Sequence, residues 1–183
     1  MPPSAGAHPS GSGDTGEVIV RTAVGDDLDA VIGIGHRTWP GTFEPIAGPE
    51  YVEMGLAKWW TADATIPAIR TGRTLVAEVA GEVVGMTVYG PHDDGLVLWK
   101  LYVLPGHHGR GIGHQLLEAA IERALELGHA RLSVSVVDGN DRAMRFYERH
   151  GFREVGREPG GSGLPDSIWI AKDLASQDPE VDA

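Results

Sequence analysis

Apolar and polar positions along the 183 residues fall into two rhythms, one of period two and one near 3.6, separated by glycine and proline. The run EVIVRTAV (17–24) is short and β-branched, which predicts a strand. Asp26 or Asp27 then precedes LDAVIGIGHRTW, whose apolar spacing predicts a helix ending near Pro40. A Gly- and Pro-rich loop follows, with a second helix from about Pro49, because proline suits a first helical turn. TLVAEVA (74–80) and EVVGMTVYG (82–90) flank a turn near Gly81, as in a β-hairpin. Asp93-Asp94-Gly95 marks another turn before LVLWKLYVL (96–104), a third strand ended by Pro105. Over 112–127, Ile112, Leu116, Leu117, Ala120, Ile121, Ala124 and Leu125 make a helical stripe, with Gly128 as its stop. RLSVSVV (131–137) predicts a strand and NDRAMRFYERH (140–150) a helix closed by Gly151. FREVGRE and SIWIAKDL predict a final pair of strands across a flexible PGGSGLP.

The predicted order is strand, two helices, three strands, helix, strand, helix, two strands. It describes an α/β (α+β) domain on a mixed, largely antiparallel sheet flanked by helices, with one strand–helix–strand crossover at 96–137. The length suits a single domain. Residues 17–174 form it, between an N-terminal tail (1–16, MPPSAGAHPSGSGDTG) expected to be disordered and a flexible acidic C-terminal tail (175–183). The N-terminal tail has neither the basic nor the apolar region of a signal peptide. No run nears the roughly eighteen apolar residues of a membrane span, so no membrane partner is expected and the expected address is the cytoplasm.

Charge and composition narrow the chemistry. Twenty-six acidic against fifteen basic residues give a net charge of −11, which argues against nucleic acid as a partner. The same balance suits a cationic acceptor, and an acidic solvated surface accounts for it equally. There is no cysteine, hence no thiolate nucleophile or thiolate metal site. The eight histidines lack a metal-ligand spacing, so no metal is expected.

The segment LPGHHGRGIGHQLL (104–117) carries the chemistry. It follows a strand and opens a helix whose first amides have no intrahelical partner, and glycines let an anion approach those amides. A dinucleotide G-x-G-x-x-G fails, because His114 stands where its third glycine belongs. A Walker loop fails for want of the lysine. A strand-to-helix turn with no ligand would show the same glycines. In the helix 140–150, Asn140 can cap the first turn, and Tyr147 lies two turns further on the same face.

Together the two segments resemble the GCN5-related N-acetyltransferase (GNAT) superfamily. His108-Gly109-Arg110-Gly111-Ile112-Gly113 is similar to the family's pyrophosphate loop, Q/R-x-x-G-x-G/A. Asn140, Ala143, Tyr147, Gly151 and Phe152 match its N-x-x-A-x-x-x-Y-x-x-x-G-F pattern. The motifs cover 96–158, and the strand order extends the likeness over 17–174. The resemblance implies acetyl-CoA as co-substrate, with its pantetheine arm between the strands 96–104 and 131–137, against the backbone of Leu101, Tyr102 and Val103. Residues 108–113 would hold the pyrophosphate, Asn140 would touch the cofactor from the other side, and Tyr147 would protonate the leaving thiolate. The implied reaction is acetyl transfer to the primary amine of a small molecule or peptide by direct attack in a ternary complex.

Two departures from the family's pattern stand out. His108 replaces the usual Gln or Arg, and when protonated it is expected to add attraction for the cofactor's phosphates. The strand 96–103 lacks the carboxylate that many relatives use as a base, so Glu44, Glu78, Asp93, Asp94 or a water relay remain as alternatives. A non-catalytic acyl-CoA-binding module of the same fold is the competing function. Acceptor specificity implied by the family falls on about 33–60, with His36, Trp39, Phe43, Glu44, Tyr51, Trp59 and Trp60, and Trp99 is a further candidate wall. Of these, Trp39, Glu44 and Trp99 are the named acceptor-binding candidates, although the aromatics would equally serve as core. A homodimer paired through an edge strand or the C-terminal hairpin is compatible with the pattern.

Overall fold

The strand runs assemble into one seven-stranded sheet: β1 (Val18–Thr22), β2 (Thr74–Val79), β3 (Glu82–His92), β4 (Gly95–Val103), β5 (Arg131–Val137), β6 (Arg153–Glu158) and β7 (Ser167–Asp173). Their order across the sheet is β1-β2-β3-β4-β5-β7-β6. Every neighbouring pair is antiparallel except β4 and β5, which are parallel and joined by the crossover helix. This computed structural model describes residues 16–93 and 95–174; both expected tails and Asp94 lie outside the described residues, apart from Gly16. No described helix is long and apolar enough to cross a membrane.

The predicted stripe becomes α3 (Ile112–Glu126), whose Ile112, Leu116, Leu117, Ala120, Ile121 and Ala124 are all buried. α3 covers one face of the sheet: a Cβ on Gly85 of β3 would press against Leu116 and Ile112. Gly85 pairs with Val103, so Lys100 and Tyr102, which alternate with Val103 along β4, project to the opposite face. There they meet α1 (Leu28–Trp59): the Lys100 ammonium lies 4.0 Å from the Trp60 ring centre, and Tyr102 packs edge-on against Trp60. The short α4 (Asp141–Arg149) follows β5.

Two helix expectations need correction. The first helix does not end near Pro40; it runs through Pro40 and Pro45 and breaks only at Gly48, whose φ of 82° and ψ of 172° suit glycine almost exclusively. Each proline forfeits one backbone hydrogen bond. Packing outweighs that loss, because Trp39 and Phe43 on this segment stack with Tyr51 and Trp59 from beyond the break. The Thr38 and Thr42 hydroxyls donate to the Ile34 and Thr38 carbonyls at 2.8 Å, a pattern that lets a helix bend. Pro49 does start the second segment, as its first-turn preference requires. The other correction is an additional helix, α2 (Ala62–Arg70), capped by Thr61, whose hydroxyl accepts from the Ala64 amide at 3.3 Å. It buries only Thr65 and Ile69, which left little apolar period to detect.

Between β3 and β4 the register shifts: Tyr89 pairs with Leu98 and Val88 with Lys100, leaving Trp99 as an extra residue on β4. Such a bulge bends its strand. The consequence appears on the other edge of β4, where pairing with β5 covers only Leu96–Leu132, Val97–Ser133 and Leu98–Val134 and then stops at the bulge. Beyond it β4 and β5 splay apart.

The aromatic packing depends on two glycines. A Cβ on Gly35 would collide with the Trp60 ring, and one on Gly55 with the Trp39 ring, whereas Gly33 has nothing within 4 Å. Gly35→Ala is therefore expected to destabilise the fold by about 1–3 kcal/mol. Gly33→Ala should be neutral or stabilising by up to ~1 kcal/mol, through helix propensity alone. Thermal melts of the two variants check this; equal melting points would contradict the packing argument.

Candidate active site

Beyond the bulge, Leu101, Tyr102 and Val103 pair with β3 on one edge only, and their other edge faces the gap. Backbone groups there lack sheet partners, an arrangement that calls for water or a ligand. The loop after β4 turns on Gly106, Gly109 and Gly111, with φ of 88°, 76° and 73°, values that favour glycine. Gly111 is the N-cap of α3 and offers no side chain to its first amides. None of the amides of residues 108–114 donates to a backbone carbonyl; the first such bond is Gln115 N–H to Gly111 O, at 3.0 Å. A row of free N–H groups at the positive end of a helix forms an anion cradle.

Cradle and open edge border one cavity of about 750 Å³. Of the cofactor-binding residues expected from the sequence, Leu101, Tyr102, Val103, His108, Gly109, Gly111, Ile112, Gly113, Asn140 and Tyr147 line it. Arg110 does not: its guanidinium reaches towards His107 (3.3 Å) and the Gly16 carbonyl (3.5 Å). Asn140 caps α4, its side-chain oxygen accepting from the Ala143 amide at 3.2 Å. His108 Nε2–H donates to the Val103 carbonyl at 2.7 Å, tying the loop to the strand end. That bond leaves Nδ1 as the one ring nitrogen able to face a phosphate.

The acceptor candidates lie elsewhere. Trp39 is 6% exposed within the α1 aromatic cluster, Glu44 is solvent-exposed, and neither lines the cavity. Trp99, at the bulge and 45% exposed, packs with His92 and Trp169 instead. The candidate bases are also distant from it: Glu78 pairs with Arg21 at 3.0 Å, and Asp93 sits beside His92 at 3.4 Å. Lys100, the charged residue on β4, turns away, donating to the Trp59 carbonyl at 2.6 Å, and burial pulls its ammonium down to about 8.

Sequence reasoning missed the charge of the cavity. Arg37 from α1 and Arg142 and Arg149 from α4 line it, together with His107, His114 and His150, and no carboxylate does. In a chain of net charge −11 that is a strong local reversal. The spacing of Arg142 and Arg149, two turns apart on one helix face, was the available signal. His114 Nδ1 and His150 Nε2 lie 2.9 Å apart, joining the first turn of α3 to the end of α4.

Tyr147 is 6% exposed, its ring against Phe146 and Phe152. Burial pushes its phenol well above the ordinary value near ~10, with the neighbouring Tyr102 adding to the effect, so it keeps its proton. Tyr102 is raised by burial in the same way.

Comparison with known proteins gives a consistent result. The model of the acetyltransferase (GNAT) family matches residues 37–152. An uncharacterized N-acetyltransferase of Mycobacterium tuberculosis is 33% identical over 132 residues, covering 69% of this chain and 83% of that protein. An uncharacterized N-acetyltransferase of Archaeoglobus fulgidus is 36% identical over 151 residues, 79% of this chain and 97% of the other. Among solved structures, the PaiA N-acetyltransferase of Thermoplasma acidophilum in complex with coenzyme A superimposes with a TM-score of 0.76 at 20% identity, covering 86% and 99% of the two chains.

All four tyrosines, Tyr51, Tyr89, Tyr102 and Tyr147, are held above their ordinary range, burial being the leading cause for each. An absorbance titration of the folded protein should therefore show no phenolate forming below pH ~10. Unfolded tyrosines lose protons near ~10 while the folded ones retain them, so stability should fall as the pH rises above that value. A tyrosine ionising at or below its free value in the folded chain would contradict the burial of these groups.

Proposed function

The chain belongs to the acetyltransferase (GNAT) family and is an acyltransferase, and from that premise we propose that it moves the acetyl group of acetyl-CoA to a primary amine of a small molecule or peptide. One observation carries the choice of donor. The free amides of 108–114 and the open edge of β4 border the same cavity, whose charged lining is arginine without carboxylate. A long polyanion with amide groups along its arm, such as coenzyme A, uses both features at once.

In this reading the pyrophosphate rests on the cradle and the pantetheine amides pair with the exposed edge of Leu101–Val103 in place of β5. The acceptor nitrogen attacks the thioester carbon, forming a C–N bond and an oxyanion. A backbone N–H of the same strand segment stabilises that charge. Collapse of the oxyanion breaks the C–S bond, and Tyr147 gives its proton to the departing sulfur. Burial weakens Tyr147 as an acid, but the same dry surroundings raise the basicity of the thiolate, so the transfer stays matched. With no carboxylate on the lining, the amine's surplus proton leaves through water, and a proton taken up from water restores the Tyr147 phenol. Holding both substrates in one groove supplies the rest of the rate.

Purified protein mixed with acetyl-CoA and a panel of amino acids, diamines, aminoglycosides and short peptides should release free thiol with at least one of them. Tyr147→Phe should lower kcat roughly 10²-fold while leaving the KM for acetyl-CoA nearly unchanged. Full activity in that variant would remove the proton-donor role. Tight coenzyme A binding without thiol release from any amine would favour the non-catalytic acyl-CoA-binding module.

A further inference from the structure

The face of the sheet opposite α3 carries a second group of aromatic rings, apart from the α1 layer. Gly85 of β3 faces α3, and Gly90, an odd number of residues further along the strand, faces the other way. A Cβ on Gly90 would lie 3.3 Å from Trp99 Nε1, so the Trp99 ring stands on that opposite face. The main cavity reaches the same face, because Arg37, Thr38, Gly41 and Thr42 of α1 line it. His92 stacks on Trp169 with an interplanar angle of 4° and meets Trp99 edge-on at 82°. The Trp169 indole N–H donates to Glu158 at 3.2 Å, and His92 sits beside Asp93 at 3.4 Å, so the rings hold one another and are tied at their rim. Trp99 nevertheless remains 45% exposed, and the His92 side chain 43%.

An indole left this open, where β4 parts from β5, forgoes the burial that Trp39 and Trp60 obtain in the core. Two residues of strand, roughly 7 Å, separate it from the Leu101 edge of the slot, a span that a short chain between an amine and a ring covers. Trp99 and His92 meet at nearly a right angle, so a planar ring laid flat on one meets the other edge-on, and both arrangements are favourable. Arg73 stands beside Trp99 over Gly90, and Arg37, Arg142 and Arg149 line the cavity, so a second cation on the acceptor is repelled. We propose that Trp99 and His92, backed by Trp169, select the acceptor: a primary amine carried on a short chain from a planar aromatic ring, with no second positive charge. This rests on the acetyl-transfer reading above. The ring packs on the aromatic corner while the amine reaches the thioester in the slot.

Rates of thiol release from acetyl-CoA with butylamine, 2-cyclohexylethylamine, 2-phenylethylamine and the diamine putrescine, in wild type, Trp99→Leu and Trp99→Tyr, test it. The cyclohexyl compound matches the phenyl one in bulk but lacks its planar face. Wild type should show a kcat/KM about fivefold higher for 2-phenylethylamine than for 2-cyclohexylethylamine, with butylamine lower again and putrescine lowest. Trp99→Leu keeps apolar bulk and should bring the phenyl-to-cyclohexyl ratio to about one, whereas Trp99→Tyr keeps a ring and should retain a preference. Each ratio is taken within one variant, so a general loss of activity does not imitate the result. If Trp99→Leu is inactive, the wild-type ratio and Trp99→Tyr decide the matter. A wild-type ratio at or below one, a Trp99→Leu variant that keeps the wild-type ratio, or a preference for putrescine over butylamine would overturn the site. Thiol release with other amines but with none of these four overturns it too and leaves acetyl transfer standing. No release with any amine removes both.

Discussion

Three residue pairs hold β4 to β5, and the open edge that borders the cavity follows from their number. An internal strand with an unpaired edge is costly, about 1–3 kcal/mol for each backbone group left without a partner or water. The structure sustains it by fastening the far half of β4 elsewhere. Trp99 is the extra residue at which the strand bends; immediately after it, Lys100 donates to the end of α1 and Tyr102 packs on Trp60. Trp60 lies against Gly35 and Trp39 against Gly55, so two missing Cβ atoms on α1 set the depth to which the aromatic layer seats. A chain of contacts runs from those glycines through the rings to β4, and it keeps the slot open.

The same layer explains the fate of the aromatic residues in the first helices. A row of Trp, Phe and Tyr with an acid nearby reads equally as an amine pocket or as core. Here Trp39, Phe43, Tyr51, Trp59 and Trp60 pack on one another as one aromatic layer. Trp99 remains open to solvent with His92 and Trp169, on the bulge itself. The cavity's charged groups are cationic, so an amine acceptor gains nothing electrostatically from its walls.

Much of this was legible in the residues because it rests on local rules. The glycines at 109, 111 and 113 mark a strand-to-helix turn with exposed amides, and Asn140, Ala143 and Tyr147 share a helix face by simple spacing. The strand runs read correctly because alternation is a short-range property. What escaped depended on tertiary partners. Proline chemistry argues for a stop at Pro40, and only stacking across the Gly48 break overrides it. α2 carries too little apolar period to announce itself. The bulge at Trp99 is a matter of register between two strands, and the bond from His108 to the Val103 carbonyl exists only once the loop is folded. Arg142 and Arg149 of α4 stood in plain view, but their place on the cavity lining is a fact of three dimensions.

Hydrogen–deuterium exchange with and without saturating coenzyme A addresses the slot most directly. The open edge of β4 and the free amides of the loop predict that peptides covering 99–114 exchange readily in the free protein and become protected on binding, while β1, β2 and α2 barely change. Protection of 99–114 already complete without ligand, or bound-state protection confined to other segments, would contradict the account.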